Sequence, residues 1–183
     1  TDYHYLYYGL AYTDAYQPLN SIPAEDNILM IFEGNEEPGY DEMLEIIKYA
    51  KEVMKVDPFS PKNLNFLTFA YGAIGDTVNE QINHDRMKKV LAVIEASGTG
   101  VSEKSPMHVL RFAHASDVLH SRGLVMTNRR VVSRTTEYIS LASKDNGNRG
   151  YYFDFSRVFW KRPEETPKKE RRWKINDWPP GQL

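Results

Sequence analysis

The sequence predicts a single α+β domain over residues 1–160, with antiparallel helical hairpins at 1–123 and a small antiparallel β-meander at 124–160. Three observations predict it. Apolar residues recur at helical spacing from Tyr3 to Leu119. Beyond Gly123 the period changes to two, through Tyr138, Ile139 and Leu141 and again through Tyr151, Phe153 and Phe155. Between those two runs stands Asp145-Asn146-Gly147-Asn148, a strong hairpin signal. Residues 161–183 stand apart as a basic, Pro-rich tail.

The elements follow in order. Tyr5, Tyr8 and Tyr12 recur at helical spacing and give a short first helix within Tyr3 to Tyr16. Pro18 and Pro23 then break regularity, so 17–39 reads as a long connection. Its apolar run Ile28 to Phe32 reads as a strand or a loop docked on the core. Tyr40 to Val56 is an amphipathic helix with Met43, Ile47, Ala50 and Val53 on one stripe. Acids fill its first turns and Lys51 and Lys55 lie near its end, which suits the helix dipole. Asp57-Pro58 stops it. Ser60 and Pro61 open the next helix, which buries Leu64, Leu67, Ala70 and Tyr71 and ends at Gly75. Another helix runs from about Val78 to Ala96. Ser105-Pro106 opens a last one that ends at Gly123. Val131 to Ala142 and Tyr151 to Arg157 then read as strands.

Composition narrows the function classes. The hydrophobic fraction is 41% and the charged fraction 26%, ordinary for a soluble globular domain. Aromatics reach 13%, led by 12 Tyr, and such side chains dominate cores and binding surfaces alike. A net charge of -2 offers no broad pull on nucleic acid. Charge is uneven, however: residues 1–60 hold 12 acids against 3 bases, and residues 61–183 hold 13 against 20. The absence of cysteine excludes disulfides, thiolate nucleophiles and Cys-based metal sites. No apolar run reaches the roughly 18 residues of a membrane span. The chain opens at Thr1 rather than Met, so an export or anchoring segment is expected to precede it.

Leu64-x-x-Leu67-Thr68-x-x-Tyr71-x-x-Ile74-Gly75-Asp76 resembles the first helix and turn of a tetratricopeptide repeat, and Tyr5-x-x-Tyr8-Gly9-x-x-Tyr12 is similar to it. That resemblance makes residues 17–39 an insertion within the first repeat. Glu80 and His84 depart from the pattern. As a whole, the chain resembles the family named Domain of Unknown Function forty-nine-nineteen, found largely in Bacteroidetes. The resemblance rests on Leu6-Tyr7-Tyr8-Gly9, Asp57-Pro58-Phe59, Ala70-Tyr71 with Ile74-Gly75-Asp76, Ser105-Pro106-Met107-His108-Val109, and Tyr151 to Arg157. It implies an exported, periplasmic or envelope-associated protein and brings no catalytic residues with it.

The residues offer little chemistry by motif. His108, His114 and His120 stand six apart, which turns successive side chains by about 240° on one helix, so they cannot converge on one metal ion. Asp117 is three residues from His114 and His120 and can contact either. Asp154 lies opposite the Phe153 and Phe155 face, with Arg149 and Arg157 as candidate partners. No glycine-rich phosphate loop occurs. The expectation is a non-catalytic protein-binding or scaffolding protein of the bacterial cell envelope, with a protein or peptide partner and no cofactor. Its candidate binding residues are Tyr5, Tyr8, Tyr12, Tyr71, His114 and Asp154, with core packing as the plainer role for the Tyr rings. The alternatives are a hydrolase using Asp154 or the His114, Asp117 and His120 helix, and a structural part of a larger assembly.

Overall fold

The computed structural model describes residues 2–35 and 37–160; the basic tail lies outside the described residues. Five helices come first: α1 (Tyr3–Leu10), α2 (Pro23–Gly34), α3 (Tyr40–Val56), α4 (Pro61–Ala73) and α5 (Thr77–Ala96). Then come β1 (Met107–His108), α6 (Phe112–Ser121), β2 (Met126–Val131), β3 (Thr136–Asp145) and β4 (Asn148–Asp154), with a 3-10 turn at Ser156–Phe159. The fold is α+β. Among the described residues, no helix is long and apolar enough to cross a membrane.

Local chemistry sets the helix starts. Ser60 Oγ accepts the Asn63 N–H at 3.2 Å, with Pro61 at the first position of α4. Asp76 caps α5 through the Asn79 N–H at 3.1 Å. Just before it, Gly75 closes α4 with a φ of 82°, a conformation open to glycine at little cost.

The long connection contains a helix. Pro23 begins α2, and Glu25 and Asp26 sit in its first turn. The apolar run Ile28 to Phe32 is therefore helical, neither strand nor loop. Ile28 is buried while Leu29 and Met30 face outward, and their apolar character hides the helical period from the sequence. The helices α2 to α5 pack in chain order, each on the next. In contrast, α1 packs on α5. It is thus not the other arm of a hairpin with α3, as an insertion within a repeat would require.

Ser105-Pro106 opens no helix either. A Cβ at Gly98 would stand 2.1 Å from the Pro106 carbonyl oxygen, so the exit from α5 and this segment run pressed together. The chain continues extended as β1, parallel to β4, with Met107 opposite Phe153 and His108 opposite Asp154. Val109 N–H completes the pairing with Asp154 O at 3.2 Å. Only at Phe112 does α6 begin. The sheet order is β1-β4-β3-β2, with β2, β3 and β4 antiparallel as a meander. The expected strand from Val131 to Ala142 is broken by a turn, because β2 ends at Val131 and β3 begins at Thr136. The next hairpin is as expected. Asn146 and Gly147 take φ of 47° and 85°, both left-handed, as a type I′ turn needs.

Two apolar cores meet at α4. One joins α2, α3 and α4 through Ile28, Ile46, Val53, Leu67 and Ala70. The other joins α1, α5, α6 and the inner face of the sheet through Tyr7, Ile94, Leu119, Ile139 and Phe153, and takes Leu64 from α4. Tyr151, Phe153 and Phe155 all face inward, as their alternation requires.

The inner face of the sheet thus closes the core that α1, α5 and α6 share. Phe153→Ala should lose about 3–5 kcal/mol in urea unfolding, the cost of a large buried cavity. Deleting 124–160 should abolish cooperative thermal unfolding. A truncated chain that melted sharply near the full-length temperature would show that the helices stand alone.

Candidate functional site

Helix α1 carries four Tyr among its eight residues. Asp2 caps it, accepting the His4 N–H at 3.0 Å. The helical period then separates the rings. Tyr7 points into the core, Tyr8 is half-buried, and Tyr5, with Tyr12 just past the helix end, stays 78% and 74% exposed. Tyr5, Leu6, Tyr8, Leu10, Tyr12 and Phe59 line a shallow apolar groove of about 660 Å³. Trp160 meets the Tyr12 ring edge-on at 5.3 Å. The Arg157 guanidinium lies 4.6 Å over the Tyr8 ring and 5.5 Å from Trp160. Tyr8, Arg157, Trp160 and Tyr12 thus form one continuous strip of ring and cation contacts along the groove.

A buried polar network holds α1 in this orientation. Tyr7 Oη lies 2.8 Å from His114 Nδ1, and His114 Nε2 lies 2.9 Å from Asp57 Oδ2. A carboxylate only accepts, so His114 donates from Nε2 to Asp57, which leaves Nδ1 of the neutral imidazole to accept the Tyr7 hydroxyl proton. Tyr7 Oη in turn accepts the Leu110 N–H at 3.2 Å. Burial pushes the Tyr7 phenol well above its usual range, which keeps it a donor. Arg111 Nε stands 3.4 Å from Asp57 Oδ2. Its other nitrogens donate to the carbonyls of Gln17, Pro18 and Asn20, which ties down the loop after α1. Burial raises the Asp57 carboxyl, but His114, Arg111 and the Phe59 N–H outweigh it and hold it below the usual carboxylate range.

A second network backs the groove from the sheet. Asp154 accepts the Ser156 N–H at 2.9 Å, the Ser156 hydroxyl, and the Thr135 hydroxyl at 3.2 Å. His108 Nδ1 lies 3.4 Å from Asp154 Oδ1. Burial pushes the Asp154 carboxyl up, yet the nearby His108 imidazole and the hydrogen bonds from Ser156 outweigh it and hold it well below the usual range. A carboxyl held so firmly ionised is a poor general acid near neutrality. The Tyr8 hydroxyl donates to His108 O at 3.0 Å, which links this network to the groove.

The structure brings Tyr5, Tyr8 and Tyr12 together and separates the other candidates from them. Tyr71 is buried in the core of α2, α3 and α4, so it lines no groove. His114 is 1% exposed and bonded at both ring nitrogens, which withdraws it from any ligand. His108 sits on β1 rather than on a helix with His114, and the Asp154 partners are His108, Ser156 and Thr135 rather than Arg149 or Arg157. Asp117 accepts the Lys62 N–H at 3.3 Å and so caps α4 from a neighbouring helix. Among the described residues, no group of three or more His, Asp or Glu is placed to share a metal ion. Sequence reasoning missed the roles of Tyr7, Asp57 and Arg111. The one available signal was Asp57 itself, an acid where the chain turns between two helices that both bury apolar faces.

The family described as Domain of unknown function (DUF4919) matches residues 1–162. The chain belongs to that family. The DUF4919 match spans α1, both polar networks and Trp160. No curated protein and no solved structure matches the chain.

In this DUF4919 domain, His114→Ala should cost about 3–5 kcal/mol in denaturant unfolding, because Asp57 is left charged, buried and short of a partner. The two buried carboxyls respond to pH with opposite sign. Asp57 is depressed, so its stabilisation is present above the unfolded value of ~3.9 and is lost as pH falls through its folded value. Asp117 is raised by burial, so its ionisation destabilises the fold as pH rises above the unfolded value. Asp117→Asn should therefore raise the melting temperature at pH 7, and the gain should shrink as pH falls below that range.

Proposed function

We propose that this protein is a non-catalytic binding protein of the bacterial cell envelope, which takes an extended segment of a protein partner across the aromatic face of α1. One observation carries this reading. Tyr5, Leu6 and Tyr12 are exposed side by side on a groove whose floor, Tyr8 and Phe59, is held rigid from behind. Aromatic rings with two rotatable bonds present large contact area at low entropic cost and are over-represented among residues that carry binding energy. The Arg157 guanidinium, stacked between Tyr8 and Trp160, adds a cation at the rim. An extended peptide fits such a surface, since its apolar side chains can enter the groove while its backbone stays hydrated.

The polar networks support the same reading. The acid and base groups singled out from sequence, His114 and Asp154, are hydrogen-bonded within the chain, where they position α1. Placement in the envelope follows from what the family resemblance implies.

The test compares wild type with Tyr5→Ala/Tyr12→Ala as baits for extracts of the host, read by mass spectrometry. The expected result is an envelope protein captured by wild type and lost by the variant, with at least tenfold weaker binding when the pair is measured in purified form. Both rings are exposed, so the variant should melt as wild type does. A partner captured equally by both baits would overturn the assignment of this face.

A further inference from the structure

A second groove lies between α4, α5 and α6, with a volume of about 730 Å³. Its walls are apolar, from Pro61 on α4 and Met87 and Leu91 on α5. Charged and titratable groups ring these walls. Glu95 and Arg122 pair with each other at 2.7 Å. That leaves Lys62 and Lys88, with the imidazoles of His84 and His120, around a single carboxyl, Asp117. Asp117 is only 7% exposed and forms part of the groove wall.

We propose that this groove binds a small organic anion with an apolar body. The balance of charge favours an anionic head group over a cation, because cationic side chains from α4 and α5 outnumber the one carboxylate not engaged by Arg122. The apolar walls favour a hydrocarbon or aromatic body, as ligand grooves generally pair apolar lining with a few polar groups. The Lys62 ammonium lies 5.9 Å from the Phe66 ring centroid. Asp117 is already engaged in the wall, where it accepts the Lys62 N–H at 3.3 Å. Burial raises its carboxyl, with opposing contributions from His114 and Lys62 too small to reverse the shift.

The probe is 8-anilinonaphthalene-1-sulfonate, an anion on an aromatic body, titrated by fluorescence into the full chain. N-phenyl-1-naphthylamine, the same ring systems without the sulfonate, is the neutral control. The expected result is saturable binding at one site, weakened about tenfold by Lys62→Glu or Lys88→Glu and unchanged by Tyr5→Ala/Tyr12→Ala. Asp117→Asn should tighten it, because the amide removes the one carboxylate beside the head group and can still accept the Lys62 N–H. Lys62 and Lys88 are not core residues, so circular dichroism should confirm that both charge reversals fold. Three results would overturn the proposal: affinity within twofold of wild type in both Lys variants, equal affinity for the neutral control, or loss of binding in the Tyr variant. The last would place the probe on the face of α1 instead. The Tyr variant also separates this proposal from the partner-binding reading, since each can fail while the other stands.

Discussion

The hydrogen bond between His114 and Asp57 is the interaction on which the arrangement of this domain depends. An ionised carboxyl buried at the turn between α3 and α4 would be strongly unfavourable without partners. His114 from α6 and Arg111 just before it supply them at 2.9 and 3.4 Å. Having been fixed at one nitrogen, the His114 ring accepts the Tyr7 hydroxyl at the other. Four parts of the chain far apart in sequence thereby meet at one point: α1, the loop at 17–20, the α3–α4 turn and α6. Each polar group in the set is satisfied by another, so a partial version would be worse than an apolar core.

The orientation of α1 follows. With Tyr7 locked inward, the helical period leaves Tyr5 and Tyr12 pointing to solvent, and Tyr8 between them. The second network, built on Asp154, then fixes the back of Tyr8 through the His108 carbonyl. Without these constraints, eight residues of helix would be marginal in water. The exposed aromatic face is therefore held in one orientation from behind.

The helices and the sheet are coupled by apolar packing of a similar kind. Helix α4 serves both cores, giving Leu67 and Ala70 to one and Leu64 to the other. The sheet closes the second core with Phe153 and Ile139. Edge strand β2 is exposed along most of its length and carries Arg129 and Arg130, charges that discourage pairing with another chain. The groove between α4, α5 and α6 has Asp117, the acid that caps α4, in its wall.

Much of the fold was legible where one local signal dominated. The limits of α3, the Ser60-Pro61 start of α4, the Asn146-Gly147 turn and the inward alternation of β4 each follow from side-chain period, capping or left-handed backbone within a few residues. Helix α2 was hidden because its outward positions are apolar too, and β1 was hidden because a Ser-Pro start signal was overridden by the open edge of β4. Tyr5, Tyr8 and Tyr12 were legible as a group by their spacing. The partners of His114 and Asp154 were not, since Asp57 is 57 residues from His114 and Tyr7 is 107 residues away. By itself, then, the sequence determined the α+β class, most element ends and the aromatic stripe of α1, because these rest on interactions between near neighbours. Only the tertiary structure decided which face of that stripe meets solvent and which acid meets which base, because burial and pairing across such distances are set by packing.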